Sequence, residues 1–174
     1  MNDTFLEKIV SRRKTGKDYL KILGLFVAAL IVLMLVMMFG GYIGFLVPLI
    51  LVAVVYGLWF FISGMNREYE YIVTNGEIDI DMIIAKRRRK RVFSGRARAF
   101  EIMAKVDSDD YRQAKKGKYE LLDCSSSPDS ENTWFFVANY KNQRVVVLFE
   151  PDERMLESMK RYNPSKIKYN RFGA

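Results

Sequence analysis

The chain has no histidine. That removes the commonest general base and the commonest metal ligand, and it weighs against enzymes that depend on either. There is one cysteine, Cys124, so no intramolecular disulfide can form and no oxidising compartment is required. A lone thiol without a histidine partner makes a poor nucleophile, and the simplest role for Cys124 is a small packed residue on a strand. No glycine-rich phosphate loop, Cys/His cluster or nucleophile elbow is present. Asp107, Asp109 and Asp110 lie close together but lack the glycine and glutamate of a calcium loop. The most telling absence is charge. Residues 22–66 are 45 in a row without Asp, Glu, Lys or Arg, and 36 of them are apolar. No soluble domain of this size hides such a run, so the chain is expected to enter a membrane.

All 48 charged residues fall in the other 129 positions. Net charge is +8, divided as +3 before the apolar run (six Lys or Arg against three Asp or Glu) and +5 after it (22 against 17). Both polar segments are basic, which suggests anionic neighbours such as phospholipid headgroups or nucleic acid.

Gly40 and Gly41 divide the apolar run into residues 22–39 and 42–62. At 1.5 Å per residue these reach roughly 27 and 31 Å, enough for two transmembrane helices. Only helices satisfy the backbone there. The run is too long for a cleaved signal peptide and lacks a small-x-small cleavage pattern. Pro48 lies in the early turns of the second helix, where a kink is expected. Tyr19, Tyr42, Trp59 and Phe60 are expected as interfacial anchors. In an antiparallel hairpin centred between Gly40 and Gly41, Gly24 meets Gly57 and Ala28 meets Ala53, a small-residue packing seam; a helix-dimerisation seam is the rival use of those residues. Arg12, Arg13, Lys14, Lys17 and Lys21 precede the first helix, and Arg67 follows the second. The positive-inside rule then places the protein in the plasma membrane as a multi-pass protein with both termini cytoplasmic.

Residues 1–21 are expected to form a basic amphipathic segment. Thr4 and Glu7 match a capping box, and Phe5, Leu6, Ile9 and Val10 then share a helical face. An ordinary juxtamembrane stretch that only sets topology is the alternative.

Residues 67–162 carry strand patterns. Asn75-Gly76 is the preferred pair of a type I′ turn. A two-residue hairpin about it puts Tyr69, Tyr71, Val73, Ile78, Ile80 and Met82 on one face, opposite Glu70, Asp79 and Asp81. Further strands are expected over 90–94, 99–106 and 118–123, with polar loops over 107–117 and 125–132. A second hairpin, 133–140 with 143–149, is apolar on both faces and needs cover on both. One cover is a helix opening at Pro151, with Asp152 and Glu153 in its first turn, Lys160 and Arg161 in its last, and Asn163-Pro164 as its stop. Residues 163–174 form a basic, loosely held tail.

The order is seven strands and one terminal helix. Together with residues 71–80, the basic run 86–91 and the following Val92, Phe93 and Ser94, it resembles an uncharacterised family of bacterial two-transmembrane proteins with a cytoplasmic pleckstrin-homology-like (PH-like) domain. The resemblance implies a membrane α-helical hairpin plus a mainly-β (α+β) domain, a PH-like barrel of about seven antiparallel strands with a C-terminal helix. It implies a binding or assembly module without a cofactor or a reaction. One feature departs from it. Phosphoinositide-binding members of the eukaryotic family use a long basic loop between their first two strands, whereas Asn75-Gly76 has neither the length nor the charge, so that pocket is not carried over.

The run Lys86, Arg87, Arg88, Arg89, Lys90 and Arg91 is the strongest local signal. A hairpin that leaves the bilayer and returns brings this run back toward the surface, where each basic residue near anionic lipid is worth about 1 kcal/mol. With Arg12, Arg13 and Lys14 it forms the expected contact with the bilayer's anionic phospholipid headgroups. A solvated loop is the plain alternative, and nucleic-acid binding is the weakest of the three. The function expected is therefore a membrane-anchored, non-catalytic interaction or regulatory module with a protein partner or self-association. The alternatives are an accessory subunit of a membrane transporter or enzyme complex, and recruitment of nucleic acid through the basic run.

Overall fold

A computed structural model describes residues 5–127 and 130–169. The described residues form two compact units: residues 13–67, and residues 5–12 together with those from Glu68 onward.

The first unit is a pair of helices. α1 spans Gly16–Phe39, a 3-10 turn covers Gly44–Leu46, and α2 spans Val47–Gly64. Both helical stretches are long and apolar enough to cross a membrane, which suggests membrane association. α1 starts six residues earlier than its apolar run because a capping box forms there: the Asp18 carboxylate accepts from the Thr15 backbone N–H at 3.0 Å. Pro48 falls in the first turn of α2, where its missing N–H has no helical partner to lose, so the expected kink has no cause. Tyr42 belongs to the turn, not to the second helix.

The expected small-residue seam is displaced. Gly24, Ala28 and Ala53 are exposed, and no atom lies within 4 Å of a Cβ built on Gly24 or Gly57. The apolar residues of α1 that lose exposure are Ile22, Leu25, Ala29, Leu33 and Val36, spaced three and four apart along one stripe. The reversal occupies seven residues rather than two, which moves the midpoint of the hairpin from Gly40-Gly41 to about Ile43. Every depth pairing shifts with it.

Among the described residues, the second unit holds eight strands in two four-stranded sheets, with no closed barrel. The first sheet is ordered β1 (Phe5–Ser11), β2 (Arg67–Thr74), β3 (Glu77–Ile84), β4 (Arg88–Arg96). The second is ordered β5 (Ile102–Lys105), β7 (Trp134–Tyr140), β8 (Gln143–Phe149), β6 (Glu120–Asp123), and β6 runs parallel to β8. Helix α3 (Asp109–Ala114) lies between β5 and β6, and α4 (Glu153–Tyr162) follows β8. The seven expected strands are β2 to β8. The eighth is the N-terminal segment, which is a strand and not an amphipathic helix. Phe5, Glu7, Ile9 and Ser11 point to one side and Leu6, Lys8 and Val10 to the other, and β1 pairs antiparallel with β2 from Phe5 opposite Thr74 to Ser11 opposite Glu68. Seven residues satisfy a helical stripe and a strand alternation equally; pairing with β2 decides between them. Thr4 of the expected capping box lies outside the described residues.

The main core lies between the sheets. Tyr71, Val73, Ile78, Ile80 and Phe93 meet Phe136, Val145, Val147 and Phe149, and α4 adds Met155, Leu156 and Met159. Phe136 stacks on Phe100 at 4.2 Å and meets Phe93 and Phe149 edge-on. The other face of β7 and β8 packs Phe135, Val137, Val146 and Leu148 against Ala114 and Tyr111 of α3, a helix inside the stretch expected to be a polar loop. Helix α4 opens at Glu153, with Asp152 as its cap accepting from the Met155 N–H at 2.7 Å, so Pro151 lies one residue before the cap. The tail is anchored as far as Tyr169. Ile167 is buried and bridges to Met103, and the Lys168 N–H donates to the Met103 carbonyl at 2.8 Å.

Candidate functional site

The β3–β4 hairpin carries the basic run. Its turn holds Ala85 and Lys86 at φ 54° and 57°, and the Arg87 N–H donates to the Ile84 carbonyl at 3.0 Å. Both central residues are left-handed, as a type I′ turn demands, though neither is the glycine or asparagine such turns prefer. Lys86, Arg87, Arg88 and Lys90 are exposed around the tip.

Arg89 and Arg91 have a different task. A β-bulge falls between Ile80, which faces Phe93, and Asp81, which faces Arg91. Residues two apart on a regular strand share a face. The extra residue, Val92, breaks that rule, so Phe93 enters the core while Arg91 stays on the outer face of the sheet. There Arg91 Nη1 meets Asp79 Oδ2 at 2.7 Å and its Nε donates to Asp81. Arg89 grips Glu70, with Nη1 at 2.9 Å from Oε2 and Nη2 donating to Oε1 at 3.1 Å. These two arginines roof two carboxylates that are nearly closed to water, Glu70 at 4% exposure and Asp81 at 3%. Burial pushes the Glu70 carboxyl above its ordinary range, and nearby Glu7 and Asp81 push the same way, while Arg89 opposes them. The six cations therefore split into four at the tip and two in a structural ion-pair roof.

Strand direction fixes where the tip lies within this unit. β1 ends at Ser11, beside Glu68 near the start of β2. β2 runs away to the two-residue turn Asn75-Gly76, and β3 returns. The turn at residues 85–87 is thus at the same end of the sheet as Ser11 and Arg67, where the chain leaves for α1 and comes back from α2. The linkers are short: residues 12–15, where Arg12, Arg13 and Lys14 are exposed, and residues 65–66.

Of the expected anchors, Tyr19, Tyr42, Trp59 and Phe60 are all exposed. Tyr56 joins the group, with its ring 5.7 Å from Trp59 and 6.3 Å from Phe60. Cys124 follows β6 and is fully buried, which pushes its thiol up to about 12 and keeps it protonated. Its carbonyl accepts from the Tyr71 hydroxyl at 2.5 Å, and that hydroxyl accepts from the Glu150 N–H at 3.3 Å. A groove of about 330 Å³ between β4 and β6 is lined by Lys90, Arg91 and Lys141 as well as by Glu120 and Asp123. Opposed charges across it single out no ligand charge.

The family described as Bacterial PH-like domain (DUF6106) matches residues 2–169. The chain belongs to this family. The bacterial PH-like match takes in β1 and the two apolar helices as well as the sheets, so the strand before the helices is part of the family's unit. No curated protein and no solved structure matches the chain. Family membership indicates a membrane or lipid interaction module, in a class of domains that generally lacks catalysis.

What sequence reasoning missed was the acidic half of the outer face. Glu70, Asp79 and Asp81 were legible as one face of the hairpin, and the period-two alternation of Arg89 and Arg91 was the available signal that they would meet it.

Proposed function

We propose that this bacterial PH-like protein is a non-catalytic, membrane-anchored cytoplasmic binding module. Its helices cross the plasma membrane as a hairpin, and the turn at residues 85–87 rests against anionic phospholipid headgroups. The observation that carries this is the shared end of the first sheet. The basic turn, Ser11 and Arg67 all lie there, and linkers of four and two residues, five and three Cα steps, reach no further than about 18 and 11 Å. The pairing of β1 with β2 supports the topology independently of charge. Strands hydrogen-bonded to each other lie on one side of a bilayer, so the segments before α1 and after α2 share a compartment. The positive-inside rule makes that compartment the cytoplasm. Four exposed tip cations are worth on the order of 4 kcal/mol near an anionic surface at low salt, enough to hold the domain against it.

The test uses the buried thiol. Because Cys124 is closed to reagents, Ala85→Cys offers a single labelling site that keeps every charge. An environment-sensitive dye there should shift to shorter wavelength when the full chain sits in nanodiscs containing phosphatidylserine, and the shift should fade with salt and be absent in pure phosphatidylcholine. Identical spectra in the two lipids would refute the contact.

A further inference from the structure

Strand β1 is the end strand of its sheet, and among the described residues nothing pairs with its second edge. Proteins guard such edges with proline, bulges, charges or shortness. β1 has no proline, pairs with β2 over seven consecutive residues without a register shift, and carries its inward lysine tied down, with Lys8 Nζ donating to the Glu150 carbonyl at 2.8 Å. Outside the helical unit, three large apolar side chains are exposed among the described residues: Phe5 at 62%, Ile9 at 52% and Leu121 at 46%. Two of the three lie on the outer face of this one edge. Between them is Glu7, which shares a side-chain hydrogen bond with Glu70 and helps raise that carboxyl, so two acids crowd together there, and no cation lies within ion-pair distance of Glu7 among the described residues. The free edge thus presents apolar, acidic, apolar in alternate positions.

We infer that the free edge of β1 docks an extended segment of a partner protein whose outward side chains alternate apolar, basic, apolar, with the basic one opposite Glu7 and the apolar ones opposite Phe5 and Ile9. Backbone hydrogen bonds along the edge supply affinity, and the three outward side chains supply choice. A second copy pairing antiparallel through the same strand does not fit. Directly opposed residues of an antiparallel pair share a face, so Glu7 would meet Phe5, Glu7, Ile9 or Ser11 of the other β1, and none of these is basic. This inference goes beyond the lipid contact and does not depend on it.

The experiment uses the full chain in neutral phosphatidylcholine nanodiscs, where a failure of the headgroup contact has no bearing. The probes are two capped heptapeptides that alternate threonine with valine, lysine, valine or with valine, glutamate, valine. The lysine peptide should bind at least fivefold more tightly, and it should slow amide exchange in residues 5–11. Glu7→Lys should reverse the preference. Phe5→Ser with Ile9→Ser should abolish binding of both peptides. If those variants fail to fold, the two peptides on the unaltered protein still decide. Equal affinity, no binding, or protection of β1 that appears with protein concentration and without peptide would each overturn the inference, the last by making a second copy the occupant.

Discussion

The ring of Tyr162, at the end of α4, lies flat against the backbone of Gly76. A Cβ built on that glycine would stand 2.4 Å from both Cγ and Cδ2 of the ring. Gly76 also sits at φ 79°, in the turn between β2 and β3. Two demands meet at one residue: a left-handed backbone and a vacancy for an aromatic ring from the far end of the domain.

Gly76→Ala should therefore be among the most damaging single changes in the domain, with a loss of about 2–4 kcal/mol from overpacking and backbone strain together. In a Tyr162→Ala background the same change should cost only about 1 kcal/mol, the strain alone. Thermal unfolding of the four proteins of this cycle in detergent measures both numbers. Additive effects would show that the ring contact is unimportant.

The turn at Ala85 and Lys86 should respond in the opposite sense. Ala85→Asn with Lys86→Gly installs the pair that Asn75-Gly76 already uses, and should stabilise the domain by about 1 kcal/mol. Lys86→Gly by itself removes a tip cation, so in the labelled Ala85→Cys protein adding Lys86→Gly should shrink the dye shift in anionic nanodiscs. A variant that melts higher and contacts lipid less would show that the strained turn is kept for its charge.

Stability and lipid contact should also separate along the basic run. Arg91→Ala leaves buried Asp81 with only the more distant Arg89, at 3.9 Å, and should cost about 1–3 kcal/mol, discounted from a fully buried pair because the guanidinium is half exposed. Lys86→Ala should stay within about 0.5 kcal/mol. Urea unfolding followed by tryptophan fluorescence distinguishes them, since Trp134 lies in the core and Trp59 in α2. Equal losses would contradict the division of the run into roof and tip.

Glu70 gives the domain a pH signature. Its carboxyl is raised in the folded state, so the folded protein holds a proton that the unfolded chain has already released. Stability from this group is full below the ordinary carboxylate range and declines as pH rises through the raised folded value. Glu70→Gln should remove that decline. The melting temperature of the natural protein minus that of the variant, measured from pH 4 to 7, should fall with rising pH. A difference that rises would mean that the Arg89 ion pair outweighs burial.

Much of this fold is legible where local chemistry and burial agree. Asn75-Gly76 announces its hairpin, residues 143–149 form the expected strand to the residue, and Asp152 with Lys160 and Arg161 brackets α4. The misses are long-range. β1 has its partner some sixty residues away, and its seven residues fit two periods. α3 has polar composition and is specified by Tyr111 and Ala114 meeting the back of β7. Six consecutive cations read as one patch until a bulge at Val92 turns Arg91 toward acids on a neighbouring strand. The parallel pairing of β6 has no local sign, because nothing in residues 120–123 fixes strand direction.

Because β1 is made first and its partner β2 only after both helices, the ribosome imposes a delay on the first sheet. Between Ser11 and Arg67 the chain adds 55 residues, about 3–11 seconds at ordinary elongation rates. Throughout that interval the opening strand exists as a nascent segment with neither edge matched, and nucleation of the domain must await the return of the polypeptide from its apolar excursion.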